Sequence, residues 1–364
     1  MTKGSNNAYL YHEIKDKIKE ETLHLPPNTR IDTRVKMMKK YNVTRTTIEK
    51  AISALIGENY LYSIDGSGTY IAERTDPPVN QSVASWGVIL PNIVSDTYPE
   101  ILRSIEDVAN DHNINVVICN TDHSNEKQEQ YIQKLVNSDI QGMIIVPAVT
   151  DEPATASFQL LTQKGIPFVF CNRGISDIKA PRVISNNFFG AYTATKHLIK
   201  LGYTRIAFLS LPRYSGSEQR YQGYLGAMYE AGLDVNMDYV IFEDKHHIEN
   251  PGFETGKRLL RLDSPPDAVL CFNDKVAKGL YNAAGEFGLQ IGVDLGVVGY
   301  DDSKLCETLP VKLTSVRYPK YETGSKAAEI LLKMIAGEKV DPNYVIVLQP
   351  QLIVRQSCKL VKMP

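Results

Sequence analysis

Seven short apolar runs alternate with amphipathic helical patterns between residues 86 and 299, and this alternation constrains the fold more than any other feature. The runs contain few charged residues, as is typical of strands buried on both faces of a sheet. The helical patterns between them can serve as right-handed crossovers, so the sequence predicts parallel β/α sheets. The apolar runs are 86–90, 116–119, 142–146, 167–171, 205–209, 268–272 and 295–299, and the helical patterns include 100–112, 126–137, 191–201 and 276–287.

This α/β region is too long for one ordinary sheet with its helices. It spans 280 residues of the 364, and folding units of about 100 to 200 residues are typical. We therefore predict two doubly wound lobes, with a ligand bound between them at the carboxyl ends of the strands.

A proline-containing segment separates this region from a shorter unit. Residues 75–84 include Pro77 and Pro78 and show no hydrophobic periodicity, which favours an extended linker. The sequence thus divides into a unit at 1–74, a linker at 75–84 and the α/β core at 85–364.

The shorter unit has the pattern of a winged helix-turn-helix. Residues 8–22 predict an amphipathic helix with Leu10, Ile14, Ile18 and Leu23 at helical spacing. Thr33 can cap a second helix ending at residue 41, and Thr44 a third running to about residue 58. Two β-rich runs, 60–63 and 69–72, are joined by a glycine-containing loop and predict a hairpin.

The net charge of the chain does not indicate whether it binds nucleic acid. The formal net charge of the chain is −2, and residues 1–76 hold 12 Lys and Arg against 10 Asp and Glu. A strongly basic nucleic-acid module would show a far larger excess, so a DNA-binding function must rest on motifs.

The cysteines and the hydropathy pattern indicate the compartment. Five cysteines lie tens of residues apart, which fits neither a disulfide framework nor a CxxC metal site. The first twenty residues are rich in charge, and no apolar run approaches about 18 residues. We therefore expect a soluble, cytoplasmic protein with reduced thiols and no membrane association.

Catalytic and metal-site motifs are missing from the sequence. It contains no GxSxG, no GxxxxGK[ST] and no HExxH. The adjacent His246 and His247 make a poor metal site, because neighbouring histidines in an extended loop point apart. We expect no catalytic residues, no metal and no cofactor.

Two segments of the short unit closely resemble the DNA-binding domain of GntR-family transcription regulators. The segments are "VTRTT" at 43–47 and "GSGTY" at 66–70, and the resemblance covers about residues 8–73. It implies a recognition helix entering the major groove, where an arginine can contact guanine. Glu49 and the weakly charged wing depart from the family pattern, which leaves the bases that are read open. The DNA-contacting residues implied are Thr33, Arg34, Thr44, Arg45, Thr46, Thr47, Lys50, Gly66, Ser67 and Gly68.

The long unit resembles the effector-binding core of LacI/GalR-type regulators, a fold shared with periplasmic binding proteins. The matching pieces include "GVILP" at 87–91, "RYQGY" at 220–224, "FND" at 272–274 and "VGYDDS" at 298–303. A GntR-type head on such a core is the arrangement of the arabinose-repressor subgroup. The effector-binding residues implied are Asp96, Tyr98, Asn172, Arg173, Arg220, His247, Asn273, Asp301 and Tyr318.

These side chains suit a neutral polyol, whose hydroxyls present donors and acceptors together. Other roles remain open for several of them. Asn273 and Asp301 could cap the helices that follow, Arg220, placed just before a helix, could form a salt bridge between the lobes, and His247 could simply be solvated.

The combined hypothesis is a homodimeric repressor of sugar-utilisation genes. It would bind double-stranded operator DNA and be released by a monosaccharide, by resemblance L-arabinose or a similar aldose such as L-fucose. The alternatives are a ligand-activated activator, a solute-binding receptor without DNA function, and a sugar-modifying enzyme. The missing export signal and the winged helix oppose the receptor, and the absence of catalytic motifs opposes the enzyme.

Overall fold

The computed structural model describes residues 6–73, 84–148, 155–243 and 249–359 of the protein. The chain forms two compact units, Met1–Gln81 and Ser82–Pro364. Nearly all of the predicted linker, 75–84, lies outside the described residues, so its extended form remains a prediction.

The first unit contains three helices and a two-stranded hairpin. Thr33 and Thr44 cap the second and third helices, and their hydroxyls accept from the backbone N–H groups of Lys36 and Thr47. Asn42, with φ 53°, makes the left-handed turn between these helices. The elements are α1 (Asn6–Thr22), α2 (Arg34–Tyr41), α3 (Arg45–Gly57), β1 (Leu61–Ile64) and β2 (Gly68–Ile71).

The predicted winged helix-turn-helix is confirmed, with two local corrections. The hairpin strands are shifted by one residue, since Leu61 pairs with Ile71 and Ile64 with Gly68. Leu23 was expected on the apolar face of α1, but its side chain is 58% exposed because α1 ends at Thr22. The apolar core of the unit is formed by Ile14, Ile18, Ile31, Met37, Ile48, Ala51, Ile52, Leu55, Leu61 and Ile71.

The second unit contains two six-stranded sheets with helices on their faces. All strand pairs are parallel except that of β12 and β14. The strands are β3 (Ser85–Leu90), β4 (Asn115–Asn120), β5 (Gly142–Ile145), β6 (Phe168–Asn172), β7 (Arg182–Ser185), β8 (Ile206–Ser210), β9 (Val240–Phe242), β10 (Ala268–Cys271), β11 (Gly296–Tyr300), β12 (Thr314–Arg317), β13 (Val345–Leu348) and β14 (Gln351–Ile353). The helices are α4 (Tyr98–Asp111), α5 (Asn125–Val136), α6 (Ala156–Gln163), α7 (Asn187–Lys200), α8 (Ser215–Glu230), α9 (Phe253–Leu260), α10 (Asp274–Glu286), α11 (Leu305–Thr308) and α12 (Lys320–Ile335).

Each sheet forms the centre of one lobe. The strand order is β13-β7-β6-β5-β3-β4 in the first lobe and β14-β12-β11-β10-β8-β9 in the second. Helix α12 packs on α4 and β6 of the first lobe, whereas α7 and α8 pack together in the second. The chain therefore crosses between the lobes three times, after β7, after β12 and after β13. The predicted two-lobed, doubly wound α/β core is confirmed.

The described residues bear on three kinds of feature, namely disulfides, membrane-spanning helices and metal sites. All five cysteines are buried and unbridged. Over 6–73, 84–148, 155–243 and 249–359, no helix combines the length and apolar character needed to span a bilayer. The same ranges hold no group of three acidic, His or Cys side chains placed to bind a metal.

Candidate effector site and nucleic-acid interface

A cavity of about 490 Å³ opens at the carboxyl ends of the strands, between the two lobes. It is lined by eight of the nine residues predicted to contact an effector. The ninth, His247, lies outside the described residues. The eight are Asp96, Tyr98, Asn172, Arg173, Arg220, Asn273, Asp301 and Tyr318.

Arg220 is held firmly within the second lobe. It lies in the second turn of α8, not before a helix as expected from the sequence, and is 8% exposed. Its Nε donates to Oδ1 of Asn187 at 3.0 Å, and its Nη1 donates to the carbonyl of Phe272. The guanidinium lies between the rings of Phe272 and Tyr300, at 4.3 and 3.4 Å from their centroids.

Asp301 lies next to Arg220 in the lining of the cavity. Its Oδ1 lies 3.8 Å from Nη2 of Arg220. Both residues belong to the second lobe, so this ion pair does not connect the lobes, and the hypothesis of an inter-lobe salt bridge is wrong for it. Burial raises the pKa of Asp301, and the positive charge of Arg220 partly opposes that rise.

The helix-capping hypothesis holds for one of its two residues. Oδ1 of Asn273 accepts from the backbone N–H of Val276 at 3.0 Å and caps α10. Asp301 caps no helix, since α11 begins after Lys304. Its backbone has φ 98° and its N–H donates to Val316. This uncommon conformation leaves the carboxylate turned to Arg220.

Asp274 is a cavity residue that the sequence analysis did not single out. It is 1% exposed, and its carboxylate accepts from the hydroxyl of Ser315 at 2.6 Å and the backbone N–H of Ser303 at 2.7 Å. Burial, followed by the nearby charge of Asp301, raises the pKa of Asp274 to about 6. The sequence signal that could have identified Asp274 was its position directly after Asn273, at the end of an apolar run.

The first lobe contributes a mixture of polar and aromatic groups. Asn172 ends β6 in the left-handed conformation, φ 65°, and Nε of Arg173 donates to the Pro147 carbonyl at 2.7 Å. Tyr98 and Tyr318 line the cavity but are only 7% and 3% exposed. Burial raises the pKa of both phenols, so both stay neutral.

Two aromatic rings in the cavity were missed. Tyr214 and Phe272 meet at 5.9 Å with their planes at 66°, and both line the cavity. Tyr214 lies in a polar stretch at the start of α8, where nothing in the sequence marked it as a site residue. These rings offer an apolar surface beside the charged groups. The cavity therefore combines donors, acceptors and an apolar wall.

In the first unit, the α2 start and the wing surround one concave surface. Its volume is about 320 Å³, and it is lined by the predicted residues Thr33, Arg34, Gly66, Ser67 and Gly68. Arg30, which was not predicted, lies there too, and a side chain at position 68 would meet its Nε at 2.6 Å. Gly68 also has φ 145°, a backbone conformation that residues with a side chain rarely adopt, so this position favours glycine.

The α3 start presents four of its five predicted residues to solvent. Thr44, Arg45, Thr46 and Lys50 are exposed. Thr47 is 3% exposed, and its hydroxyl pairs with that of Thr44 at 2.9 Å. The side chain of Thr47 is turned into the unit and completes the cap, and its contact with DNA stays a prediction.

Two protein families match this chain. Residues 7–71 match the model for bacterial regulatory proteins of the gntR family, and residues 195–358 match a periplasmic binding protein-like domain. The two matches fall on the winged unit and on the second lobe with its neighbours.

Relatives of known function match nearly the whole chain. An arabinose metabolism transcriptional repressor of Halalkalibacterium halodurans is 30% identical over 95% of this chain and 96% of its own length. A protein of the same description from Geobacillus stearothermophilus is 28% identical over 92% of this chain and 93% of its own.

One solved structure is similar to about three quarters of this chain. A LacI family transcriptional regulator of Enterococcus faecium, determined with bound ribose, has a TM-score of 0.66 and 28% identity. It covers 76% of this chain and 100% of its own. The chain therefore belongs to the GntR family of transcription regulators, and is a transcriptional repressor that carries a LacI-type core of the sugar-binding fold.

Proposed function

We propose that the protein represses sugar-utilisation genes and is released from operator DNA by an aldose bound in the inter-lobe cavity. L-Arabinose is the first candidate, because two relatives over 90% of the chain are described as arabinose metabolism repressors. L-Fucose, a similar aldose, is the second.

The observation that carries this proposal is the lining of the cavity. Arg173 and Arg220 donate, Asp301 accepts, and the amides of Asn172 and Asn273 do both. Carboxylates and guanidinium groups stand together, so a ligand of either sign would meet like charge, whereas a neutral polyol meets partners for each hydroxyl. The rings of Tyr214 and Phe272 suit the C–H face of a sugar.

The DNA-binding proposal rests on the exposed groups at the α3 start and the wing. Arg45 and Lys50 provide cations, and Thr44 and Thr46 provide hydroxyls near the positive end of the α3 dipole. One such unit has little net charge, so we propose that two units of a homodimer engage two half-sites together.

The direct test is retardation of DNA taken from upstream of the protein's own gene. We expect a shifted band that L-arabinose or L-fucose abolishes and that D-glucose, as the control, leaves in place. A protein that binds an aldose but never that DNA would overturn the regulatory proposal.

A thermal-shift panel of monosaccharides separates the sugar from its competitors. A ligand at 100 times its Kd stabilises a one-site protein by about 2.7 kcal/mol. The inducing sugar is therefore expected to raise the melting temperature at millimolar concentration. A panel in which no aldose raises it would refute the proposed effector class.

A further inference from the structure

A second, smaller cavity adjoins the inter-lobe effector cavity, which is called the cleft below, and its lining has a different chemistry. Its volume is about 160 Å³, a third of that of the cleft, and it shares Asn172, Arg173, Tyr214 and Arg220 with it. Three arginines line it, the third being Arg182, and its lining includes no carboxylate of the described residues. The cleft, in contrast, has acidic and basic groups together.

Two charged donors at this cavity are buried without hydrogen-bond partners among the described residues. They are Nη2 of Arg173 and Nε of Arg182. Arg173 uses its Nε on the carbonyl of Pro147, and neither guanidinium forms an ion pair with a described carboxylate. Buried donors of this kind are costly unless an acceptor satisfies them. An oxyanion is the acceptor that guanidinium groups bind best, because its oxygens match their paired N–H groups.

The start of α8 adds to the positive potential. Ser215 and Gly216, the first residues of this sixteen-residue helix, line the cavity. The N–H groups of a first helical turn and the positive end of the helix dipole favour an anion. The helix end and the guanidinium groups are independent features that line one small space.

The groups around the cavity come from both lobes. Arg173 follows β6 and Arg182 begins β7 in the first lobe, whereas Ser215 and Gly216 begin α8 in the second. An anion here would hold the two lobes together beside the effector cleft. Arg173 and Arg220 would feel it directly, since they line both cavities.

We propose that this cavity binds a small tetrahedral oxyanion, with phosphate as its simplest form, and that the bound anion raises the affinity of the cleft for its sugar. The phosphoryl group comes either from free phosphate or from a phosphate ester. Phosphate binding at this cavity does not depend on the proposed function, whereas the coupling to sugar binding rests on it.

The first experiment is calorimetric titration of the full-length protein with inorganic phosphate at constant ionic strength, without sugar. We expect saturable binding of one phosphate per chain. Arg182→Gln is the informative variant, since Arg182 lines the small cavity and not the cleft. It is expected to reduce phosphate affinity at least tenfold, while Arg261→Gln, an exposed arginine outside both cavities, serves as the matched control.

A second variant separates loss of the phosphate site from loss of the fold. Ser176 is exposed and lines the cavity, so Ser176→Asp adds a negative charge there without removing a packed group. It should also abolish phosphate binding while leaving the melting temperature in phosphate-free buffer near that of the parent. Equal phosphate affinity in the parent, Arg182→Gln and Ser176→Asp would overturn the site, as would the absence of phosphate binding by the parent.

Sugar titrations with and without saturating phosphate measure the coupling. We expect phosphate to lower the sugar Kd about fivefold or more, the lower end of the usual range for coupled sites, and this effect to disappear in Arg182→Gln. An unchanged sugar Kd would refute the coupling while the phosphate titration still decides the site. An aldose phosphate that displaces both phosphate and sugar would identify the ester as the source, whereas simultaneous binding of phosphate and sugar identifies the free ion.

Discussion

Arg45 and Glu49 lie one turn apart on α3, and Nε of Arg45 donates to Oε1 of Glu49 at 2.8 Å. The arginine side chain is 73% exposed, so the pair stands on the surface that is proposed to meet DNA. A surface ion pair of this kind contributes little to folding. Its main effect is to fix where the guanidinium points and to place a negative charge next to it.

Arg45→Ala is expected to abolish operator binding while leaving the fold and sugar binding intact. A lost bidentate base contact costs about 1 to 3 kcal/mol per half-site, whereas an exposed helix position costs little stability. Band retardation and melting temperature measured together check both halves. Operator affinity equal to that of the parent would refute the role of Arg45.

Glu49→Gln is expected to strengthen binding to DNA of any sequence. The substitution removes a carboxylate from the phosphate-facing surface and releases Arg45 from its partner. The plot of log affinity against log salt should become steeper by about one ion released per half-site. Glu13→Gln, on the exposed face of α1 and paired with Lys17, is the control and should leave the salt dependence unchanged.

The second unit alone should be a dimer. Removal of residues 1–84 leaves both lobes complete, since Ser82–Pro364 is a separate compact unit. Dimerisation through this unit would present two winged units to two half-sites. Sedimentation that shows a monomeric core at micromolar concentration would contradict this prediction.

Arg220→Ala and Asp301→Ala should still bind operator as tightly as the parent without sugar, yet require far more sugar for release. Each side chain is proposed to form charge-assisted hydrogen bonds with the bound sugar. Losing one such buried bond costs about 1.5 to 3 kcal/mol, which corresponds to roughly ten- to over a hundredfold in sugar affinity. Operator affinity is measured across a sugar titration, with the melting temperature in parallel. A release midpoint within twofold of the parent for both variants, with reduced melting temperature, would mean that the pair only braces the second lobe.

Asp274 should make the second unit less stable as the pH rises from about 4 to 6. Its pKa in the folded protein is about 6, above the ordinary value of 3.8, so in this window the folded state binds more protons than the unfolded state. The contribution is therefore largest below pH 4 and is lost by about pH 6, and its size is on the order of 2 to 3 kcal/mol. Asp274→Asn keeps an acceptor for Ser315 and Ser303 but cannot titrate. Parent and variant with the same slope of unfolding free energy between pH 4 and 6 would contradict the prediction.

Local signals made much of the fold predictable. The caps at Thr33 and Thr44 depend on residues three positions away, and six of the seven apolar runs reflect burial on both sheet faces. The run at 116–119 differs, because it lies on the edge strand β4, where Val117 and Ile118 are exposed. Strands β7, β9, β12, β13 and β14 were missed because they have only three or four residues and several are half exposed. Their pairing with distant strands, not their composition, makes them strands.

Helix α8 was not predicted from the sequence because it contains three glycines. Gly216, Gly223 and Gly226 lower its intrinsic helix propensity, but Gly223 lets α8 lie against the backbone of α7 at Phe188. Arg220 was therefore identified while its helix was not.

The candidate effector residues came from family resemblance, and geometry now brings eight of them together. Asp274 was not predicted, because its hydrogen-bond partners Ser303 and Ser315 lie 29 and 41 residues away in the sequence. Such a carboxylate becomes distinctive only when the fold buries it.

The third crossing between the lobes has a consequence for synthesis of the chain on the ribosome. Strands β13 and β14, separated by only two residues, are the last edge strands of the two sheets. Neither sheet can be completed until residues 345–353 have left the exit tunnel. The two lobes must therefore finish folding together, once both edge strands have left the ribosome, whereas the winged unit can fold while the core is still being made.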